Sequence, residues 1–130
     1  MANNYGANQY RQMSITTASR SQILLMLYEG AIQNVKKASI SIEKKDLQIK
    51  GKCIGKAHDI INELLNTLDF EIGGKVAEDL ERLYIFIIRE LMAANLENSS
   101  KKLQGVQRIL ETLLDGWKIA VEQINKQNLK

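Results

Sequence analysis

The chain has 130 residues, 45% of them apolar, a net charge of +3, no proline and one cysteine. This is enough for one hydrophobic core in one domain, and it excludes an internal disulfide because Cys53 has no partner. No apolar run approaches the roughly 18 residues of a membrane span, and Met1 to Tyr10 lacks the apolar stretch of a cleaved signal, so a cytoplasmic protein without membrane insertion is expected.

Residues 1–18 are rich in Asn, Gln, Ser and Thr, with apolar residues only singly at Tyr5, Tyr10, Met13 and Ile15. No helical stripe forms there, and the segment reads as a mobile N-terminal arm ahead of a helical domain over 19–130. Ser19 and Gln22 have capping-box spacing, which predicts a first helix from Ser19 to about Ile42. Its stripe is Ala31, Val35, Ala38 and Ile42. A turn over 43–46 follows, with Asp46 as the next N-cap. Helix two is expected to run to about Leu68 on Ile54, Ala57, Ile61, Leu64 and Leu68. Gly73-Gly74 is the clearest break in the chain, and helix three is expected from about Lys75 to Leu96. Asn98-Ser99-Ser100 ends that helix and caps the fourth. Helix four carries Leu103, Val106, Leu110, Leu113, Trp117, Ala120 and Ile124, a seam on which Trp117 reads as a structural core residue. Four helices of similar length with short connections predict an all-α, antiparallel up-down four-helix bundle with an N-terminal arm.

Charge is unevenly spread. Met1 to His58 holds nine Lys/Arg against three Asp/Glu, and Asp59 to Glu97 reverses this to three against nine. In an antiparallel bundle the first and third turns share an end. Lys44, Lys45, Lys50, Lys52, Lys101 and Lys102 are therefore expected at one end, and Asp69, Glu71, Glu78 and Asp79 at the other.

Two segments carry more apolar surface than a bundle seam can absorb. Ile23 to Tyr28 and Leu83 to Ile88 are each apolar for six consecutive positions, and six steps of 100° reach every face of a helix. Some of these side chains must point away from the core, toward the arm, a partner or a second copy. The candidate partner-binding groove, or the seat of an N-terminal plug, is accordingly assigned to Leu24, Leu27, Tyr28, Leu83, Tyr84, Ile85 and Ile88, with Tyr10 and Ile15 as the apolar residues of the arm that would fill it.

Nothing in the sequence reads as catalytic chemistry, and no cofactor or metal is expected. His58 is the sole histidine and lacks the Glu of a Glu-x-x-His helix motif. Gly73-Gly74 precedes Lys75-Val76 without the spacing of a phosphate loop. Lysine clusters at 36–37, 44–45 and 50–56 lack the aromatics or motif of a nucleic-acid binder, so no nucleic-acid partner is expected.

Several stretches together resemble the FliS family of flagellin-specific secretion chaperones. They are Tyr10 to Ser19, Leu25-Met26-Leu27-Tyr28-Glu29-Gly30-Ala31, Leu68-Asp69-Phe70-Glu71-Ile72-Gly73-Gly74, Ala77-Glu78-Asp79-Leu80, Leu83-Tyr84, Ala94-Asn95-Leu96 and Asp115-Gly116-Trp117. Two positions depart from the family's pattern. Arg20 stands where the family often has proline, and Ile85 where it usually has a polar residue. The resemblance implies a cytoplasmic, non-enzymatic chaperone that binds the disordered C-terminal segment of flagellin and prevents its premature polymerisation. It further implies engagement of the flagellar type III export gate when flagellin is bound, with the free protein a monomer or weak dimer. The rival readings from the residues are a homodimeric helical adaptor and a nucleic-acid-binding domain.

Overall fold

The computed structural model describes the backbone of residues 5–128 and the side chains of residues 20–127. It contains four helices: α1 (Tyr5–Glu43), α2 (Leu47–Asn66), α3 (Phe70–Glu97) and α4 (Ser100–Asn128). They pack in a ring, α1 on α2, α2 on α3, α3 on α4 and α4 on α1, as sequential antiparallel neighbours do. The protein is an all-α four-helix bundle. No described helix is long and apolar enough to cross a membrane.

The apolar stripes meet at the centre. Ala31, Val35 and Ala38 of α1, Ala57 and Ile61 of α2, Ile87, Leu91 and Ala94 of α3, and Leu103 and Leu110 of α4 are fully buried. Alanines at these positions let the backbones approach, while leucine and isoleucine fill the space between them. On α4 the next buried position after Leu110 is Leu114, with Leu113 and Trp117 only partly buried against the core. The expected seam thus drifts by one residue over its second half, as a straight helix of 3.6 residues per turn does against a 3.5 repeat.

The connections explain the helix ends. After α1, Lys45 takes a left-handed conformation (φ 60°). Asp46 N donates to Ser41 O at 2.8 Å and Lys45 N to Ile42 O at 3.1 Å, the two bonds of a Schellman motif. Asp46 then caps α2 as expected, its carboxylate accepting from Ile49 N at 3.2 Å. Asn98 (φ 54°) repeats the left-handed turn after α3, with Ser99 N donating to Ala94 O. Ser99 Oγ accepts from Lys102 N at 3.1 Å and opens α4.

Two expectations need correction. The first helix begins at Tyr5 and not at Ser19. Arg20 retains the amide that a proline would remove, and no proline lies upstream, so the hydrogen-bond ladder has no forced interruption at the capping box. The predicted break at Gly73-Gly74 is present as a kink inside α3: Asp69 caps a first turn from Phe70, and Gly74 (φ 50°, ψ −122°) bends the chain before the long helix proceeds. The side chains of Tyr10 and Ile15, to which the arm's docking was assigned, lie outside the described residues.

The topology brings turns one and three together through Lys50. Its side chain is buried, and its Nζ donates to Asn95 O at 2.9 Å and to Asn98 Oδ1 at 2.6 Å. Lys44, Lys45, Lys52 and Lys101 are exposed on these turns and the helix starts that follow them. Asp69, Glu71, Glu78 and Asp79 belong to the N-terminal part of α3, at the other end.

Candidate functional site

At the end where α2 stops and α3 starts, the bundle is incompletely filled. An apolar groove of about 270 Å³ opens between Leu24 of α1, Leu64 and Leu68 at the end of α2, Ile72, Val76 and Leu80 of α3, and Trp117 of α4. A second hollow of about 520 Å³ adjoins it, formed by Arg20, Ile23, Leu24, Leu27 and Thr67. Leu24 and Thr67 belong to both, so the two form one apolar surface over the same end.

Local sequence builds this shape. Asp69 accepts from Glu71 N and Ile72 N, both at 3.0 Å, and starts a helical turn directly after α2. Gly74 then adopts a conformation that side chains other than glycine rarely take. A Cβ on Gly73 would come within 2.8 Å of Ala77 Cβ, so the bend also needs a residue without a side chain there. The kink separates the first turn from the main helix and leaves Ile72 87% and Val76 61% exposed. These side chains edge a groove that the other described residues do not fill.

Beneath it lies a buried polar contact. The Tyr28 and Tyr84 hydroxyls hydrogen-bond to each other across the bundle, with the rings 6.5 Å apart and tilted by 51°. Burial pushes the Tyr28 phenol above its ordinary value, while the hydrogen bond with Tyr84 pulls it back. Burial, followed by the Tyr28 partner, drives the Tyr84 phenol far upward. The pair thus ties α1 to α3, and Trp117 of α4 packs partly buried beside it on the groove wall. At the rim Asp79 lies 3.1 Å from Lys75 Nζ and also pairs with Arg82. The Lys75 hydrogen bond holds its carboxyl below the usual range.

The structure sorts the sequence candidates. Leu24 and Leu27 line the apolar surface. Tyr28 and Tyr84 are core residues, with Tyr84 at the groove floor. Leu83 and Ile88 are partly buried against the core, and Ile85 is exposed on α3; none of these three lines the groove. Leu68, Ile72, Val76 and Trp117 were not among the expected site residues. The signal for Ile72 and Val76 was available, since they flank the glycine pair and match no seam position. Among the described residues, no group of three or more His, Cys, Asp and Glu is placed to hold a metal.

Among the described residues, four helices frame an open apolar groove, a concave surface of the kind that receives a ligand or a partner segment. Comparison with known proteins specifies it further. Residues 1–124 match the family model described as flagellar protein FliS. The flagellar secretion chaperone FliS of Campylobacter jejuni is 35% identical over 118 residues, covering 91% of this chain and 92% of the relative. The protein of the same name from Salmonella typhimurium is 36% identical, covering 87% of each chain. That from Bacillus subtilis is 32% identical, covering 90% of this chain and 86% of the relative. The chain belongs to the FliS family.

Proposed function

We infer that this protein is a cytoplasmic, non-enzymatic flagellar export chaperone. It binds the disordered C-terminal segment of flagellin, keeps it from polymerising prematurely and aids its delivery to the flagellar type III export apparatus. The reading is supported by the names of the relatives, which are flagellar secretion chaperones. The observation that carries it is the open apolar groove between Leu24, Leu68, Ile72, Val76 and Trp117.

The physical fit is direct. An amphipathic helix presents apolar anchors at i, i+3 and i+4, and a groove between helices is the complement of such a ridge. A client that is disordered when free gives up about 2–5 kcal/mol to ordering, which keeps affinity moderate for the area buried and allows release. The Tyr28–Tyr84 contact ties α1 to α3 under the groove, which supports a binding surface formed before the client arrives. Residues 1–18 are a second candidate occupant. Docking them there requires α1 to break near Ser19, at the expected capping box.

The test is light scattering on the purified protein mixed with flagellin. A one-to-one complex with full-length flagellin, lost when flagellin lacks its C-terminal segment, supports the reading. A complex that survives the truncation, or none with either form, refutes it.

A further inference from the structure

We propose that the α1–α2 face beside the first turn is a second docking surface, for an acidic amphipathic helix of a partner protein. Lys37 and Ile40 of α1 and Lys44 of the turn after it stand at spacings of three and four, and Ile49, Lys52 and Lys56 recur on α2 at the same spacings. All six are exposed. The two helices are packed neighbours, and a Cβ on Gly30 would lie 3.4 Å from Ile60 Cδ1, which with the turn at Lys45 sets their antiparallel register. Their inward positions nearby, Ala38 and Ser41 on α1 and Cys53 and Ala57 on α2, are buried. The two helices thus carry, beside the turn that joins them, four exposed lysines and two exposed isoleucines.

Charge and chemistry indicate what covers it. Among the described residues none of the four lysines lies within ion-pair distance of a carboxylate; the pairs formed elsewhere use Lys75, Arg82, Lys102 and Lys126. Glu43 and Asp46 sit at the turn, where Asp46 is committed to Ile49 N, and Asp59 stands one turn beyond Lys56 without pairing with it. Asp59 lies by His58, 4.0 Å away. Ile40 and Ile49 are about half exposed, at 51% and 48%. A phosphate backbone makes no use of two such isoleucines, and the face has no aromatic residue to stack a base. A helix with an apolar stripe flanked by Asp or Glu satisfies both features at once. The face lies toward the opposite end from the groove lined by Ile72 and Trp117, so both surfaces are free to be occupied together. The proposal rests on this charge pattern and not on the identity of the groove's client.

The experiment uses the full chain and two synthetic helical peptides with the same leucine stripe, one flanked by glutamates and one by lysines. Phosphatidylserine vesicles and a DNA duplex are measured alongside. The acidic peptide is expected to bind and the basic one not, with affinity falling as salt rises from about 0.01 to 0.15 M and the screening length shortens from ~30 to ~8 Å. Lys37→Glu, Lys44→Glu, Lys52→Glu and Lys56→Glu combined should weaken binding about tenfold or more. Ile40→Ser with Ile49→Ser should weaken it while every charge remains. Equal binding of the two peptides overturns the proposal, as does an isoleucine pair that contributes nothing, which leaves only a solvated basic face. Tighter binding to vesicles or DNA than to the acidic peptide also overturns it. Circular dichroism checks that the variants fold. If the fourfold variant does not, amide shift changes in the wild-type protein decide: confined to residues 37–56 they support the surface, and elsewhere they refute it. Ile72→Ser with Val76→Ser, which alters only the client groove, should leave acidic-peptide binding unchanged.

Discussion

Tyr28 and Tyr84 place two hydroxyls in an apolar interior, where each is the other's partner. Removing one strands the other, and a stranded buried hydroxyl costs about 1–3 kcal/mol. Tyr28→Phe and Tyr84→Phe should each destabilise the fold by a similar amount, since each hydroxyl has the other as its partner. The double variant should lose less than the sum of the single losses, which a double-mutant cycle in urea would show. Both phenols are raised above their ordinary value of 10.0. Above pH 10 the unfolded chain releases protons that the folded chain keeps, so this contribution is whole below pH 10 and is lost as pH rises beyond it. Unfolding measured from pH 9 upward should show a fall in stability that the double phenylalanine variant reduces. Lys50 is the other residue whose burial carries structure. Lys50→Met keeps the aliphatic stem but loses the bonds to Asn95 and Asn98, and should cost about 1.5–3 kcal/mol by urea unfolding.

At the scale of elements, much was legible. The Asp46 cap, the short connections and the glycine break could be read because each depends on local chemistry. Other features depended on packing. Lys50 falls in phase with Ile54, Ala57 and Ile61 on the buried face of α2, but a lysine in that register reads as solvent-facing until the α3 carbonyl it reaches is known. The six-residue apolar runs gave a surplus without its direction. Tyr28 and Tyr84 turn inward while Ile23, Met26 and Phe86 stay exposed. Ile72 and Val76 became the groove edge only because Gly74 bends α3, and the arm carries no helical stripe yet continues α1 in backbone form. Gly74→Ala should destabilise by about 1–3 kcal/mol, since it forces a side chain into this conformation. Arg20→Pro should remove the helix ahead of it, lowering the circular dichroism signal by up to the share of 5–19 while the bundle's thermal midpoint stays near its wild-type value. A helical signal that does not fall would mean that those residues contribute no stable helix in solution.

For the whole molecule, the ring of four helices places the groove at one end, and toward the other the lysines that form no ion pair among the described residues, beside exposed apolar side chains such as Ile40, Ile49 and Leu96. This division lets a client and a second partner meet different surfaces. Ile72 and Val76 are already exposed, so Ile72→Ser with Val76→Ser should barely change the unfolding midpoint. It should weaken flagellin binding about tenfold or more, given about 1.5–3 kcal/mol for each fully buried aliphatic side chain. The central claim is that the client helix enters the groove, and the chain carries its own reporter there. Trp117 is its sole tryptophan and lines the groove wall. Titrating a tryptophan-free C-terminal flagellin segment while following fluorescence should shift the Trp117 emission to shorter wavelength and saturate at one segment per chain. An emission spectrum that stays constant while light scattering shows the complex forming would place the client elsewhere on the bundle and contradict the account.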